Sequence, residues 1–179
     1  MAWSSPMTAV ANTIFTAAQF NQFVRDNLNE TAPAKATTAG QYFVATGTNA
    51  IATRRCFNAI VSTAQSTSST TYTNLASVGP SVSVVSGPTV LVMLTAGVQS
   101  DTSNSAAFAG YEISGSTTRV AADAEALELD GITAANTLRY TACSLATGLT
   151  VGLNTFTMKY RAASNTATFA NRQIICVPW

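Results

Sequence analysis

Apolar and polar residues alternate along most of this chain, and this alternation limits the fold more than any other feature of the sequence. Between residues 155 and 161, Phe156, Met158 and Tyr160 share one face, with Thr, Lys and Arg on the other. Residues 81–86 and 89–95 form two further candidate strands, joined by a Gly-Pro turn. About eight such strands, separated by Gly, Ser and Asn, are typical of a sandwich. The sequence therefore predicts an antiparallel, jelly-roll-like β-sandwich over residues 39–179.

One stretch near the N-terminus follows a helical period instead. Thr16 is a suitable N-cap, and Gln19 stands three residues later, so the two can form a capping box. Phe15 and Phe20 flank the first turn, where their rings can pack together as a hydrophobic staple. The apolar stripe of the helix consists of Phe20, Phe23, Val24 and Leu28. These signals predict one amphipathic helix over residues 15–28, and its stripe needs a partner surface.

The helix belongs to an N-terminal part that precedes the sandwich. Pro33 disfavours continuation of the helix, and residues 31–40 are small and polar, as in a linker. We expect an arm, helix and linker at residues 1–38 that serve attachment and oligomerisation, with the sandwich at residues 39–179. Trp3 either anchors the arm in a pocket of a partner or folds back onto its own subunit. The predicted assembly interface, buried mainly between chains, consists of Trp3, Phe15, Phe20, Phe23, Val24 and Leu28.

The composition excludes several classes of function. Charged residues make up only 9% of the chain, against roughly 25% in typical soluble domains. So few charges indicate either an assembled protein or a rigid extracellular-type β domain. With a net charge of +1, the chain has no excess of positive charge that would attract nucleic acid or an anionic membrane, so we expect neither as a partner.

The residue types available also limit the chemistry. The chain has no histidine, which removes Ser-His and Cys-His catalytic arrangements and most zinc sites. We therefore expect no enzyme activity, no catalytic residue, no cofactor and no metal. Cys56, Cys143 and Cys176 are odd in number, so we expect each to pack as a small buried apolar residue rather than in a disulfide framework.

Two features suggest alternative functions. An acidic run offers oxygen ligands for calcium or a carboxylate pair for glycoside hydrolysis, but its spacing does not match an EF-hand loop. We favour a solvated acidic loop. This run contains Asp123, Glu125, Glu128 and Asp130. The second alternative is a binding module whose loops hold carbohydrate, with Tyr72 and Tyr111 as candidate ligand contacts.

The helix also carries a resemblance to a known group of proteins. Residues 16–28 follow the pattern T-A-A-x-x-N-x-x-V-R-D-N-L. This segment resembles the start of many small virion proteins of tailed bacteriophages, of the minor tail or head-decoration type, in which a tryptophan-containing arm precedes the helix. The pattern is matched by Thr16, Ala17, Ala18, Asn21, Val24, Arg25, Asp26, Asn27 and Leu28. The resemblance continues at residues 75–84, 154–161 and 168–174, but it does not cover residues 100–118 or 121–136.

This resemblance implies a non-enzymatic structural component of a phage virion, assembled in the host cytoplasm. Similar virion sandwiches commonly form homotrimers. The implied partners are therefore further copies of this chain and other virion proteins, with a host surface glycan as an additional candidate. Tail tip, fibre and head surface are all compatible with the resemblance.

Overall fold

The computed structural model describes residues 4–131 and 133–179, without the side chains of Ala32 and Pro33. Trp3 lies outside the described residues, so its role as an anchor stays a prediction.

The chain folds as two compact units, one running to Arg55 and including Trp179, the other spanning Cys56–Pro178. The first unit extends beyond the boundary expected at residue 38 because it includes a β-hairpin. Strands β1 (Tyr42–Gly47) and β2 (Ala50–Arg54) form a two-stranded antiparallel sheet of their own.

The N-terminal helix begins where the sequence predicts. It consists of α1 (Ala17–Phe20), a π-helical turn (Asn21–Arg25) and α2 (Asp26–Asn29). The capping box is confirmed: the Gln19 amide donates to the Thr16 hydroxyl at 3.2 Å, and the Thr16 amide donates to Gln19 Oε1 at 2.9 Å.

The segment expected to be a linker contains a short helix. This helix, α3, spans Ala32–Lys35 within residues 31–40. Proline is well tolerated in the first turn of a helix, so Pro33 ends one helix without preventing the next. An ion pair between Lys35 Nζ and Glu30 Oε2, at 2.8 Å, spans the joint between the two helices.

The second unit is the predicted antiparallel β-sandwich. Its strands are β3 (Phe57–Val61), β4 (Gln65–Thr67), β5 (Ser81–Ser86), β6 (Val90–Ser100), β7 (Ala107–Gly115), β8 (Leu127–Leu129), β9 (Leu138–Ala146), β10 (Gly152–Ala162) and β11 (Ala167–Pro178). One sheet has the order β5-β10-β7-β8, and the other has the order β3-β11-β6-β9, with β4 also on β11. If the eight strands other than β4 are numbered one to eight in chain order, the strand orders of the two sheets are 2-7-4-5 and 1-8-3-6. This is the strand order of a jelly roll.

The inner faces of the two sheets form one apolar core. Burial alternates along β5 and β6, as it must when one face of each strand packs on the core and the other faces outward. The predicted stripe of Phe156, Met158 and Tyr160 on β10 is confirmed, since all three residues are 0% exposed.

Two short strands of the sandwich were not predicted from the sequence. Residues 62–71 contain β4, and the acidic stretch 123–131 contains a 3-10 turn (Asp123–Glu125) followed by β8. Both strands are only three residues long, too short to show alternation. Of the cysteines, Cys176 is buried as expected, whereas Cys56 and Cys143 are exposed. Cys143 is exposed because it lies on the outward side of the edge strand β9.

Candidate functional site

The first candidate surface lies on the N-terminal unit. On its arm and helix, residues 4–29, five large apolar side chains are exposed: Val10 (64%), Ile14 (87%), Phe15 (51%), Phe20 (48%) and Leu28 (59%). We call them the N-terminal apolar surface. Exposed large apolar side chains that group into a patch often mark an interaction site.

The arm shapes part of this surface. It turns at Asn12, which has φ 63°, and the Thr13 hydroxyl donates to the Val10 carbonyl at 2.7 Å. This turn creates a cleft of about 270 Å³, lined by Met7, Ala9, Val10, Thr13, Ile14 and Phe15. The Phe15 ring also meets the Phe20 ring edge-on at 6.1 Å, so the predicted staple is confirmed.

Asn27 fixes the arm to the helix, and sequence reasoning did not assign it this role. Its side chain is 4% exposed. Asn27 Oδ1 accepts from the Ser4 amide at 2.8 Å, while Nδ2 donates to the carbonyls of Ser4, at 3.0 Å, and Phe23, at 3.1 Å. The side-chain amide thus pairs with Ser4 as a backbone peptide would. The sequence pattern does not reveal this role, because an asparagine on a helix is usually exposed to solvent.

Of the predicted interface residues, Phe15, Phe20 and Leu28 therefore belong to the N-terminal apolar surface, while Phe23 and Val24 are half-buried. Burial of this set between chains stays a prediction.

The second candidate surface is the outer side of the sheet formed by β3, β11, β6 and β9. Residues directly opposite each other in an antiparallel pair project on the same face. Met93 lies between Cys143 and Ile175, and Leu91 lies between Leu145 and Val177. All these side chains are uncharged and partly or fully exposed. We call this set the neutral face: Leu91, Met93, Cys143, Leu145, Ile175 and Val177.

The outer side of the other sheet is charged. Lys159 Nζ contacts Glu112 Oε1 at 2.8 Å, and Arg161 Nη2 contacts Asp123 Oδ2 at 2.6 Å. Beside the sheet, Arg119 Nη2 contacts Glu125 Oε1 at 3.2 Å. We call this side the charged face. The six residues of the neutral face therefore differ in chemistry from the charged face, although Arg139 on β9 also projects from the outer side of the sheet that carries the neutral face.

A cleft of about 550 Å³ opens on the charged face. Its polar centre joins three side chains: the Tyr72 hydroxyl donates to Asp123 Oδ1 at 2.9 Å, and Arg161 Nε donates to the same oxygen at 2.9 Å. We call it the Tyr72 cleft. It is lined by Thr70, Thr71, Tyr72, Val120, Ala121, Ala122, Asp123 and Arg161.

Packing holds the polar centre in place. The Arg161 guanidinium stacks on the Phe108 ring at 3.7 Å. The Tyr72 ring lies over Gly110, where an added Cβ would come within 3.0 Å of a ring carbon. Glycine at position 110 thus provides the space that the tyrosine ring occupies.

The electrostatics of this centre follow from its pairing. The Arg161 guanidinium, helped by the Tyr72 hydroxyl, holds the pKa of Asp123 below its usual range. Burial raises the pKa of Tyr72, and the hydrogen bond to Asp123 raises it further. At neutral pH Asp123 is therefore an anion paired with the Arg161 cation, and Tyr72 keeps its proton.

The two tyrosines predicted as ligand contacts have different positions. Tyr72 lines the cleft. Tyr111 lies inside β7, is 2% exposed and packs its ring on Phe156 at 5.8 Å. The expectation that Tyr111 contacts a ligand from a loop is therefore wrong, because inward alternation on β7 places its ring in the core. Burial raises the pKa of Tyr111 to about 12.

The sequence singles out Asp123 only as a member of the acidic run, and it gives no indication that Arg161 belongs to this site. A bidentate pair between residues so distant in the chain leaves no local signal.

Among the described residues, no three His, Cys, Asp or Glu side chains cluster as metal ligands. The described helices include none with the length and apolar character needed to cross a membrane. Compared with known proteins, the chain matches no family model and no curated protein.

Proposed function

We propose that this protein is a non-enzymatic structural component of a bacteriophage virion, a homo-oligomeric tail, fibre or capsid-decoration protein that docks through its N-terminal unit. The observation that carries the proposal is the N-terminal apolar surface. Phe15, Phe20 and Leu28 are each about half exposed although the helix is specified by both a capping box and a staple. A well-specified helix whose apolar stripe is only partly covered is suited to docking on another protein.

Two further observations support an assembled state. The neutral face offers a second apolar area on the jelly roll, and the chain as a whole is poor in charge. Jelly rolls are common in viral capsid and lectin domains, which is an argument from fold analogy. The phage assignment itself rests on the resemblance of residues 16–28.

The oligomeric state tests the docking surface. Sedimentation of the full chain is expected to give a trimer, three times 18.6 kDa. A Phe20→Asp, Leu28→Asp double variant should weaken association at least about a hundredfold, because each large apolar contact is worth about 1.5–3 kcal/mol. Gln22→Asp, at an exposed polar position of the same helix, is the matched control and should leave the trimer intact. A monomeric wild-type chain, or a double variant that still forms the trimer, would contradict this part.

Purified particles test the virion assignment. Mass spectrometry of particles from a phage that carries this gene should detect the chain at a fixed ratio to the other structural proteins. The double variant should be missing from the particles, and the Gln22→Asp chain should be present. Absence of the wild-type chain from purified particles would overturn the assignment.

A second candidate function, binding of host surface carbohydrate, is favoured by one observation. The Tyr72 cleft places an aromatic ring beside a charge pair on the charged face of the jelly roll.

A further inference from the structure

The walls of the Tyr72 cleft are fixed by backbone hydrogen bonds on both sides. On one side, the Ala162 amide donates to the Ser69 carbonyl at 2.8 Å, and Thr73 and Tyr160 exchange two bonds of 3.0 Å. Tyr72 is therefore held between two points attached to β10. On the other side, Ile113 and Arg119 exchange bonds of 2.8 and 2.9 Å, which set the start of the segment leading to Val120. A cleft with such walls needs little ordering when a ligand binds.

The polar centre offers hydrogen-bond acceptors and donors side by side. Asp123 remains 53% exposed in its side chain despite the pairing, so its oxygens can accept further bonds. Arg161 uses Nε and Nη2 on Asp123, and its Nη1 group has two more N–H donors. A hydroxyl group can donate to the carboxylate and accept from the guanidinium, so adjacent hydroxyls match this pair.

The charge of the cleft selects against ions. Asp123 and Arg161 cancel each other at neutral pH, and among the described residues that line the cleft the protonated Tyr72 is the only further ionisable group. An anionic ligand would face the Asp123 carboxylate, and a cationic ligand would face the Arg161 guanidinium. A neutral ligand avoids both repulsions.

The rest of the lining is apolar or small. Val120 is 79% exposed, and Ala121 and Ala122 follow it along the same wall. Thr70 and Thr71 on the other wall add hydroxyl groups. One apolar wall and one polar wall fit a ring that has C–H groups on one side and hydroxyl groups at its edge. The volume of about 550 Å³ lies within the ~300–1,000 Å³ range of small-ligand sites.

From these features we infer that the Tyr72 cleft binds a neutral saccharide, whose hydroxyl groups bridge Asp123 and Arg161 while its C–H face packs on Val120 and Ala122. This inference gives the second candidate function a site and a ligand class. It does not depend on the N-terminal docking surface or on the phage assignment.

NMR titration of the full chain tests the site. The probes are glucose, galactose, mannose, N-acetylglucosamine and their β-linked disaccharides, with N-acetylneuraminic acid and glucosamine as charged comparisons. At least one neutral probe should cause saturable shifts in the amides of residues 70–72 and 120–123, with a dissociation constant in the millimolar range. The charged probes should bind at least about tenfold more weakly, a difference of about 1.4 kcal/mol.

Two variants with matched controls separate the site from general effects. Asp123→Asn removes the charge but keeps the size, and Gly110→Ala forces the Tyr72 ring to shift. Each should raise the dissociation constant at least about tenfold, about 1.4 kcal/mol. The controls are Glu128→Gln, an exposed carboxylate outside the cleft, and Gly97→Ala, where an added Cβ meets its nearest atom at 3.4 Å. Both controls should bind as the wild type does.

Several outcomes would overturn the inference. These are no saturable shift with any neutral probe, shifts outside the two walls, tighter binding of a charged probe, or unchanged binding by Asp123→Asn. A negative result here would leave the trimer and particle tests of the proposed function unaffected, so the two failures can be told apart.

Discussion

At the scale of single residues, Arg172 is the most unusual feature of the core. It is 0% exposed, and the contacts of its guanidinium are to carbonyl oxygens and an aromatic ring. Nη1 donates to the carbonyls of Ser77 and Gly79, both at 3.3 Å, and Nη2 donates to Thr63 O at 3.3 Å and Gln65 Oε1 at 3.2 Å. One side chain thereby ties two loops to β11.

We expect Arg172→Met to lower the free energy of unfolding by about 3 kcal/mol. The methionine fills the space but removes the side-chain donors of the partly buried Thr63 and Ser77 carbonyls, each loss costing about 1–3 kcal/mol before relaxation. Urea denaturation, followed by fluorescence, measures the change. Arg139→Met, at an exposed position of β9, is the matched control and should stay within about 0.5 kcal/mol of the wild type. Equal destabilisation by the two variants would contradict the role assigned to Arg172.

Sequence reasoning could not find this residue, although it found the strand that carries it. The register of β11 against β6 shifts between Ala170 and Gln173, and Asn171 there has φ 48°. Such a bulge shifts the alternation of inward and outward side chains by one residue. Arg172 therefore points inward, on the same face of β11 as Ile174 and Cys176. Alternation alone gives no sign of where a bulge lies.

At the scale of elements, the N-terminal helix shows which signals are local. The capping box and the staple depend on residues a few positions apart, and both could be predicted from the sequence. The tether from Asn27 to Ser4 joins residues 23 positions apart. Nothing near either residue indicates that they meet.

The tether can be tested by hydrogen exchange. Asn27→Ala removes both bonds to Ser4, each worth about 1 kcal/mol, so the Ser4 amide should exchange at least about tenfold faster. NMR exchange rates at constant pH and temperature measure this. Asn29→Ala, at an exposed position of the same helix, is the control and should leave the Ser4 rate unchanged. An unaltered Ser4 rate in Asn27→Ala would show that the arm is held by other contacts.

At the scale of the whole molecule, the sequence predicted the β-sandwich and its jelly-roll-like character but not the strand neighbours. Alternation says which side chains share a face, whereas pairing depends on distant partners. The pairing of Val61 with Arg172 brings the first and last strands of the jelly roll together. Once these neighbours are known, the outward residues of separate strands combine into a neutral face and a charged face, which no single strand reveals.

The contrast between the faces leads to a prediction that rests on the proposed oligomer. The six residues of the neutral face carry no charge with which to select an oppositely charged partner, so a second copy of this chain is the occupant we expect. Leu145, 48% exposed on the neutral face, and Leu153, 56% exposed on the other sheet, are chemically matched positions. Leu145→Glu should weaken self-association more than tenfold, at least about 1.4 kcal/mol, because a buried carboxylate would lack a partner.

Sedimentation equilibrium of both variants at several protein concentrations distinguishes the two faces. Leu153→Glu adds the same charge to the charged face, where the side chain stays in water, so its association constant should match that of the wild type. Thermal unfolding of the dissociated chains should be similar for the two variants, since each leucine is about half exposed in the single chain. If Leu153→Glu dissociated the oligomer and Leu145→Glu did not, the subunit contact would lie on the charged face, and the chemistry of the outer faces would not determine how copies of this chain assemble.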